Sequence, residues 1–510
     1  MAEDGSAGAS PAVAAVIRDN LFGLELDPRC TQIGAFNLAL AAWRRVGHCA
    51  LPAMNLACSG LAPNASEKDW LVLAGNDANA QNGMARLHRL FKNAPVLGSL
   101  INPRAIQDEL LEAGFHELQP LLEQALAKEA DPGNSQSAIR NPNFHEMAVT
   151  ARGLAKAAEI LAGQFTLIAT NVPYLGRGKQ DETLQDYCER VYPEAKADLA
   201  TCFVERCLQF CATGGSTTLV TPQNWLFLSR YAAMRNSLLC SKSWNATARL
   251  GEHGFDSPQA AGAFTAMVCI SNYIPGSHQE FFGIDAGEEP SPEAKAVCLG
   301  VKAPIRLSQA EQLKNPDGRI VLSEMVRGEL LGKCANSWQG IKTSDDGRFT
   351  QSFWEIPHLI RGWVFYQRAP KGHQLFSGRE EILYWEDGYG ALTTICQEGA
   401  SFRGKSGWGR NGIAVSMMRG LPATIYNGEK FSADISIIDP IDQSHLAALW
   451  VYCTSEEYFL QVRKIDQALR VTNTAMVKIP FDLAHWQKVA AEKYPHGLPK
   501  PFSSDPTQWL

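Results

Sequence analysis

An open α/β sheet of the doubly wound type, followed by a less regular α+β domain, is the architecture this sequence predicts. Three observations predict it. Strand-like and helix-like stretches alternate from about residue 20 to about residue 275. One strand-like run, "FTLIATNVPYLGRGKQ" from Phe165, ends abruptly in a turn, as strands do at the ligand-binding edge of such sheets. Past about Gly276 the texture changes to acidic loops, then to short β-like runs rich in Gly and Trp. A chain of 510 residues is long enough for more than one core.

The elements follow in order. "NLFGLELDPRCTQIGAFNLALAAWRR" reads as a short strand over Leu21 to Leu26, an acidic turn, and a helix. Ile33, Phe36, Leu38, Leu40 and Trp43 give that helix one apolar side. "ALPAMNLACSG" reads as a second strand, and a largely helical insertion spans about 67–162. After the strand that leads into Asn171, "DLATCFVERCLQFCATGG" reads as an amphipathic helix closed by Gly214 and Gly215. "STTLVTPQNW" is a strand, "RYAAMRNSLL" a helix and "FTAMVCISNY" a last strand. Residues 277–330, including "GSHQEFFGIDAGEEPSPEAK", read as a loop-rich linker, and 331–510 as the second domain.

Composition excludes several classes. There is no run of about 18 apolar residues of the kind that spans a bilayer, and the acidic start "MAEDGSAGASPAVAAV" is not a secretory signal. The 13 cysteines are scattered and form no C-x-x-C, which disfavours a zinc ribbon and fits a reducing cytoplasm. The histidines form no ligand spacing, so no metal is assigned. A net charge of −6 means that any contact with phosphate comes from a local patch.

The chemistry concentrates at Asn171, Val172, Pro173 and Tyr174. An amide oxygen at the end of a buried strand can accept a hydrogen bond from an amino group, and the backbone carbonyl of the next residue can accept a second. Pro173 stiffens the turn through its fixed φ, and Tyr174 offers a flat face to a planar base. Two acceptors aimed at one exocyclic amine draw its lone pair out of ring conjugation. The plainer alternative, a strand followed by a proline turn and a packed tyrosine, explains the same four residues.

"NVPY" resembles the Asn-Pro-Pro-Tyr motif of N6-adenine DNA methyltransferases that use S-adenosylmethionine, with Val172 in the position that contributes only a backbone carbonyl. "GLELDPRCTQIGAFNLAL" is similar to the family's ribose-binding motif, which implies Glu25, or else Asp27, as the ribose-binding acid. "DLATCFVERCLQFCATGGSTTLVTPQNWLFLSRYAAMR" resembles the stretch that follows the catalytic motif. "GFDSPQAAGAFTAMVCIS" resembles the later motif whose aromatic residue packs on the flipped adenine, implying Phe255, with Phe264 second. The resemblance spans about residues 20 to 275 and implies a Rossmann-like methyltransferase domain over 1–276. The segments "GIKTSDDGRFTQSFWEI" and "GWGRNGIAVSMMRG" resemble the target-recognition part of large phage-defence (BREX- or DISARM-like) and type IIG restriction methylases. "SFRGKSGWGR" supplies Arg403, Lys405 and Arg410 without an acid, which suits a loop that follows phosphates and suits a solvated surface loop equally well.

What the resemblance implies is a base-flipping, site-specific DNA adenine methyltransferase acting in phage defence or restriction-modification. Its partners would be double-stranded DNA and either other subunits of a defence system or a chain carrying a missing N-terminal motif. The family's Gly-rich cofactor motif, Asp-Pro-x-Cys-Gly-x-Gly, is not supplied by "MAEDGSAGAS", and Ser59 stands where the third motif usually has an acid. With the abrupt ending "FSSDPTQWL", these departures read as a chain shortened at its front and at its back. The rival they raise is a truncated or partner-dependent DNA-binding component without catalysis. A nuclease is disfavoured, because the acidic-x-Lys matches at Glu194 to Lys196 and Glu293 to Lys295 fall in a helix-like stretch and an acidic linker. An NAD-binding protein is disfavoured by the lack of G-x-G-x-x-G.

Overall fold

The computed structural model describes residues 11–75, 77–105, 142–257, 262–323, 328–356, 362–395, 401–418 and 420–508. It is a mixed α/β protein with several separate sheets. Two compact units divide it: one comprises 1–222, 241–246 and 265–275, the other 223–240, 247–264 and 276–510. Among the described residues, no helix is long and apolar enough to cross a membrane.

In the first unit, β1 (Phe22–Glu25) leads through Asp27 into α1 (Pro28–Val46). The Asp27 carboxylate accepts from the Arg29 amide at 2.8 Å, and Pro28 fills the first helical position, where no amide is needed. β1 runs parallel to β2 (Asn55–Cys58), pairing Phe22 with Asn55 through Glu25 with Cys58. Helices α2 (Ala78–Phe91) and α3 (Pro142–Ala162) belong to the expected insertion, of which 106–141 lie outside the described residues.

β3 (Phe165–Asn171) is followed by α4 (Glu182–Val191), α5 (Leu199–Phe210) and β4 (Cys211–Pro222). β3 and β4 are parallel, and Asn171 pairs with Val220. β4 then pairs antiparallel with β6 (Thr265–Ser271), where the Ser216 and Ser271 hydroxyls share a 2.7 Å hydrogen bond. Gly214 and Gly215 do not cap α5. That helix ends at Phe210, and Cys211 is already extended. The glycines form a bulge, because β3 advances from Phe165 to Leu167 while β4 advances from Cys211 to Ser216. Gly214 has φ +79°, and a Cβ on Gly215 would stand 2.7 Å from the Phe165 carbonyl oxygen.

A second expectation also changes. The apolar side of α1 is not sealed in a core. Ala39 and Ala42 are buried, but Ile33 is 58% and Phe36 61% exposed. Periodicity marks the face that would be buried; it does not supply the surface that buries it.

The second unit begins at Gln223 and holds all but the last residue of α6 (Ala232–Ser241); of β5 (Ser243–Gly251), residues 243–246 fall in the first unit and 247–251 in the second. The stretch read as a loop-rich linker carries regular elements: β7 (Glu280–Asp285), α7 (Pro292–Val301) and β8 (Ile305–Ser308), with β7 and β8 antiparallel. The alternation that signals β7 is short, with Phe281 buried between the exposed Glu280 and Phe282. Lys295 is almost wholly buried on α7, donating to the carbonyls of Ala286 at 3.1 Å and Glu289 at 2.5 Å. Glu194 to Lys196 lie in a turn rather than a helix, and Lys196 pairs with Glu189 at 2.5 Å.

Further along are β9 (Ala335–Gln339), β10 (Ile341–Lys342), β11 (Thr350–Ser352), β12 (Trp363–Gln367), β13 (Glu381–Tyr384) and β14 (Ser401–Phe402). Then come β15 (Gly412–Ser416), β16 (Ala423–Tyr426), β17 (Lys430–Phe431) and β18 (Ile435–Pro440). One four-stranded sheet has the order β16-β15-β18-β9 and another β11-β13-β12-β17. The helices α8 (Leu446–Cys453), α9 (Glu456–Ile465) and α10 (Leu483–Lys493) pack with the first of these sheets around Ile413, Val415, Ile438 and Leu449.

Candidate active site

The turn after β3 is held by backbone on both sides. The Val172 amide donates to the Val220 carbonyl at 3.3 Å, so the ladder with β4 continues one residue beyond Asn171. The Val172 side chain is buried at 3% exposure, which fixes the rotation of that peptide. Asn171 and Pro173 are exposed and Tyr174 is half-buried. The side-chain amide of Asn171 therefore stands open at the carboxyl end of its strand.

Asp198 anchors the segment beyond the turn. Its carboxylate caps α5 by accepting from Ala200 at 2.9 Å and also accepts from the Leu175 amide at 3.4 Å. The Leu175 carbonyl accepts from the Leu199 amide at 3.0 Å and from Gln180 Nε2 at 2.9 Å. Burial, and secondarily the Asp198 charge, pushes the Tyr174 phenol up to about 12, so the ring is neutral at working pH. The motif singled out Tyr174 but not Asp198. Its signal is legible: an Asp directly ahead of "LATCFVERC" is a helix-capping residue.

The two candidate acids differ in availability. Asp27 is committed to capping α1 and to a 2.7 Å ion pair with Arg29, whose hydrogen bond holds the carboxyl below the usual range. Glu25 closes β1 with its side chain exposed, and its backbone carbonyl accepts from the Ser59 amide at 2.7 Å and hydroxyl at 3.2 Å. Glu25 is thus the carboxylate of the pair that can take new hydrogen bonds. Ser59 itself is buried and bonded to Ser99 at 3.0 Å.

The remaining candidates belong to the second unit. Phe255 is half-buried on the loop after β5, and Phe264 is half-buried with its carbonyl accepting from the Gln223 amide at 2.9 Å. Arg403, Lys405 and Arg410 are exposed on one loop. Arg403 reaches Gln339 at 3.2 Å, while Arg410 pairs at 3.1 Å with Asp439, a fully buried carboxylate. Behind the loop, the Lys430 ammonium lies 3.8 Å from the Trp408 ring centre and 5.4 Å from that of Trp385.

A cavity of about 750 Å³ opens in the first unit beside Arg86, Arg89, Tyr187 and Arg190. None of Asn171 to Tyr174 lines it, so volume alone does not mark the chemistry here.

Known proteins resemble this chain over the segment that holds this turn. Residues 19–254 match the model of the Eco57I restriction-modification methylase family. Over this segment the chain is similar to Eco57I-type methylases. The segment contains β1, β3 and the turn at Asn171. The chain is homologous to the adenine-specific methyltransferase BrxX of Escherichia coli O9:H4 (strain HS), 24% identical over 54% of this chain and 24% of the relative. It is also homologous to the adenine-specific methyltransferase PglX of Lacticaseibacillus casei (strain Zhang), 28% identical over 47% of this chain and 19% of the relative. The matched part therefore spans about a quarter or less of those relatives' length. Among solved structures, the type IIL restriction-modification enzyme MmeI in complex with DNA aligns with a TM-score of 0.47 at 11% identity. That alignment covers 76% of this chain and 63% of MmeI. A nuclease-deletion mutant of the type ISP enzyme LlaGI aligns at 0.41 and 10% identity, over 74% of this chain and 46% of that one.

Proposed function

We propose that this chain is a site-specific DNA adenine-N6 methyltransferase that flips its target base and serves phage defence or restriction-modification in the cytoplasm. The observation that carries the reading is the open Asn171 amide, set beside a Val172 backbone locked by its amide bond to Val220. We read β2-β1 and β3-β4 as two halves of one doubly wound sheet, with 1–276 as the methyltransferase domain, 277–330 joining it to the rest, and 331–510 as an α+β target-recognition domain.

S-adenosylmethionine would supply the activated methyl group, and the exposed Glu25 carboxylate suits its ribose hydroxyls. The chain's own residues do the rest. An adenine inside a duplex cannot be reached, so it swings out. Asn171 Oδ1 and the Val172 carbonyl accept the two amine hydrogens, which concentrates the nitrogen lone pair out of the ring plane. Tyr174 stacks on one face of the base, and Pro173 keeps the turn rigid. Catalysis is positioning and polarisation rather than proton transfer by a charged base. Arg403 and Lys405 follow phosphates; Arg410 contributes less, because Asp439 already neutralises it.

The test is Asn171→Ala, assayed for transfer of labelled methyl groups to unmethylated DNA and, in parallel, for DNA affinity. Transfer is expected to vanish while affinity is retained; transfer at the wild-type rate overturns the assignment. One observation favours a second reading, a partner-dependent DNA-binding component: β1 and β3 each have an edge without a strand partner among the described residues. Calorimetric titration of the chain alone with S-adenosylmethionine separates the two, since heat of binding belongs to the self-sufficient enzyme.

A further inference from the structure

The four-stranded sheet β16-β15-β18-β9 carries a carboxylate buried in an interior strand. Asp439 on β18 is fully buried, and strand alternation sets it on the same face as Ile435 and Ile437, which pack with Tyr426, Phe431 and Trp338. An ion in such surroundings is costly to keep unless its neighbours satisfy it. Asp439 Oδ2 accepts from Arg410 Nη1 at 3.1 Å and from Trp338 Nε1 at 3.4 Å. Oδ1 is buried with no hydrogen-bond partner among the described residues.

The cation of this pair is not sealed in with the anion. The Arg410 side chain is 54% exposed, and among the described residues it donates from Nη1 alone. A guanidinium has five N–H groups, so most of the fork is left for a ligand. A pair that serves burial alone looks different: Arg379 and Glu429, 2.9 Å apart, are 1% and 11% exposed. The loop under Arg410 is also clamped. The Gly407 carbonyl accepts from the Tyr426 hydroxyl at 3.2 Å, the Gly409 amide donates to the Gly428 carbonyl at 2.9 Å, and the Asn411 carbonyl accepts from Gln443 Nε2 at 3.2 Å. Gly428 has φ +99°, and a Cβ on it would stand 2.8 Å from the Gly409 Cα, so the close approach requires glycine there. Arg410 is thereby held by backbone bonds before and after it and by a carboxylate beneath it.

The charge on the pair decides what the open fork suits. A phosphate gains from a basic side chain through net charge and released counterions. Asp439 cancels that charge and repels a second anion. A neutral edge with two acceptors loses nothing to it. Among base edges in the major groove, guanine alone offers two acceptors, O6 and N7; adenine pairs an acceptor with a donor, thymine an acceptor with a methyl group, and cytosine offers a donor.

We propose that Arg410 reads a guanine of the target sequence through O6 and N7, and that Asp439 is the positioning residue that holds the guanidinium and offsets its charge. Lys405, exposed on the same loop, keeps the phosphate role. The proposal rests on the reading of 331–510 as a DNA target-recognition domain and not on methyl transfer.

The full chain, without cofactor, is used to select duplexes from a randomised double-stranded DNA library, and the bound fraction is sequenced. The wild type is expected to enrich one motif with a fixed guanine. Arg410→Gln is expected to lower the preference for that guanine at least about tenfold and to leave the other positions of the motif as they are. Arg410→Lys, which keeps the charge and loses the fork, is expected to do the same. Asp439→Asn is expected to relax that position and no other, a pattern that a general loss of folding does not produce. Lys405→Ala is expected to weaken all sequences alike. Equal weakening at every position in Arg410→Gln, or a guanine preference that survives in Arg410→Lys, overturns the proposal. An unchanged motif in Asp439→Asn overturns the role given to Asp439. A wild-type motif left intact by Arg410→Gln removes the proposal while the target-recognition domain stands; a wild-type chain that enriches no motif removes both.

Discussion

The strand Phe165–Asn171 of the first unit and the strand Ile435–Pro440 of the second are both short, apolar and β-prone, yet they end in opposite surroundings. Every residue of the second is buried. It lies between β15 and β9, so both edges are paired, and its alternate side chains enter two different cores: Ile438 joins Ile413 and Leu449, while Ile435 and Ile437 join Tyr426 and Phe431. The first strand has one paired edge among the described residues, and Leu167 is 64% exposed. Similar local sequence, opposite burial: the difference lies in what neighbours each strand has.

Mutations at equivalent positions along the two strands sharpen that contrast. Ile437→Ala removes fully buried methylenes and is expected to lower unfolding stability by about 4 kcal/mol, read from urea denaturation. Next in size is Arg206→Leu in the first unit. The Arg206 guanidinium is buried and donates to the carbonyls of Ser99, Ile101 and Leu161 at 3.0, 2.7 and 3.0 Å, while stacking on Phe210. Leucine leaves those carbonyls without their donor, at an expected cost of about 3 kcal/mol in the same assay.

A smaller effect depends on pH. Burial, helped by Glu194, raises the Glu205 carboxyl to about 7. The folded chain then holds a proton that the unfolded chain releases above the ordinary carboxyl range. This group's contribution to stability is therefore greatest in acid and declines as pH rises toward about 7. Glu205→Gln is expected to flatten that slope between about pH 5 and pH 7.5, and an unchanged slope would locate the dependence elsewhere. The smallest effect is Leu167→Ala, expected within about 0.5 kcal/mol of wild type in the isolated chain. A loss as large as that at Ile437 would break the comparison, because it would mean that β3 is already covered.

The turn at the end of β3 was legible in the sequence because its signals are local. A strand, an amide, a proline and an aromatic ring in succession specify a turn at a strand end, and an Asp before "LATCFVERC" specifies a cap. What escaped depended on distant partners. Ile33 and Phe36 repeat at helical spacing, yet the spacing says nothing about whether a surface exists to receive them. Gly214 and Gly215 look like a helix stop because glycine serves caps and bulges equally; the register of β4 against β3 decides between them. Arg206 reads as the polar side of an amphipathic helix, and only the carbonyls of Ser99, Ile101 and Leu161 explain its burial.

The most direct test of the proposed chemistry is a map of methylated bases. Bacterial DNA free of adenine methylation is incubated with S-adenosylmethionine and either the wild-type chain or Asn171→Ala, then read at single-base resolution. N6-methyladenine is expected at one recurring sequence with the wild type and at none with the variant. Identical maps from the two chains, or methyl groups on cytosine instead, would contradict the assignment of Asn171 as the acceptor that activates adenine.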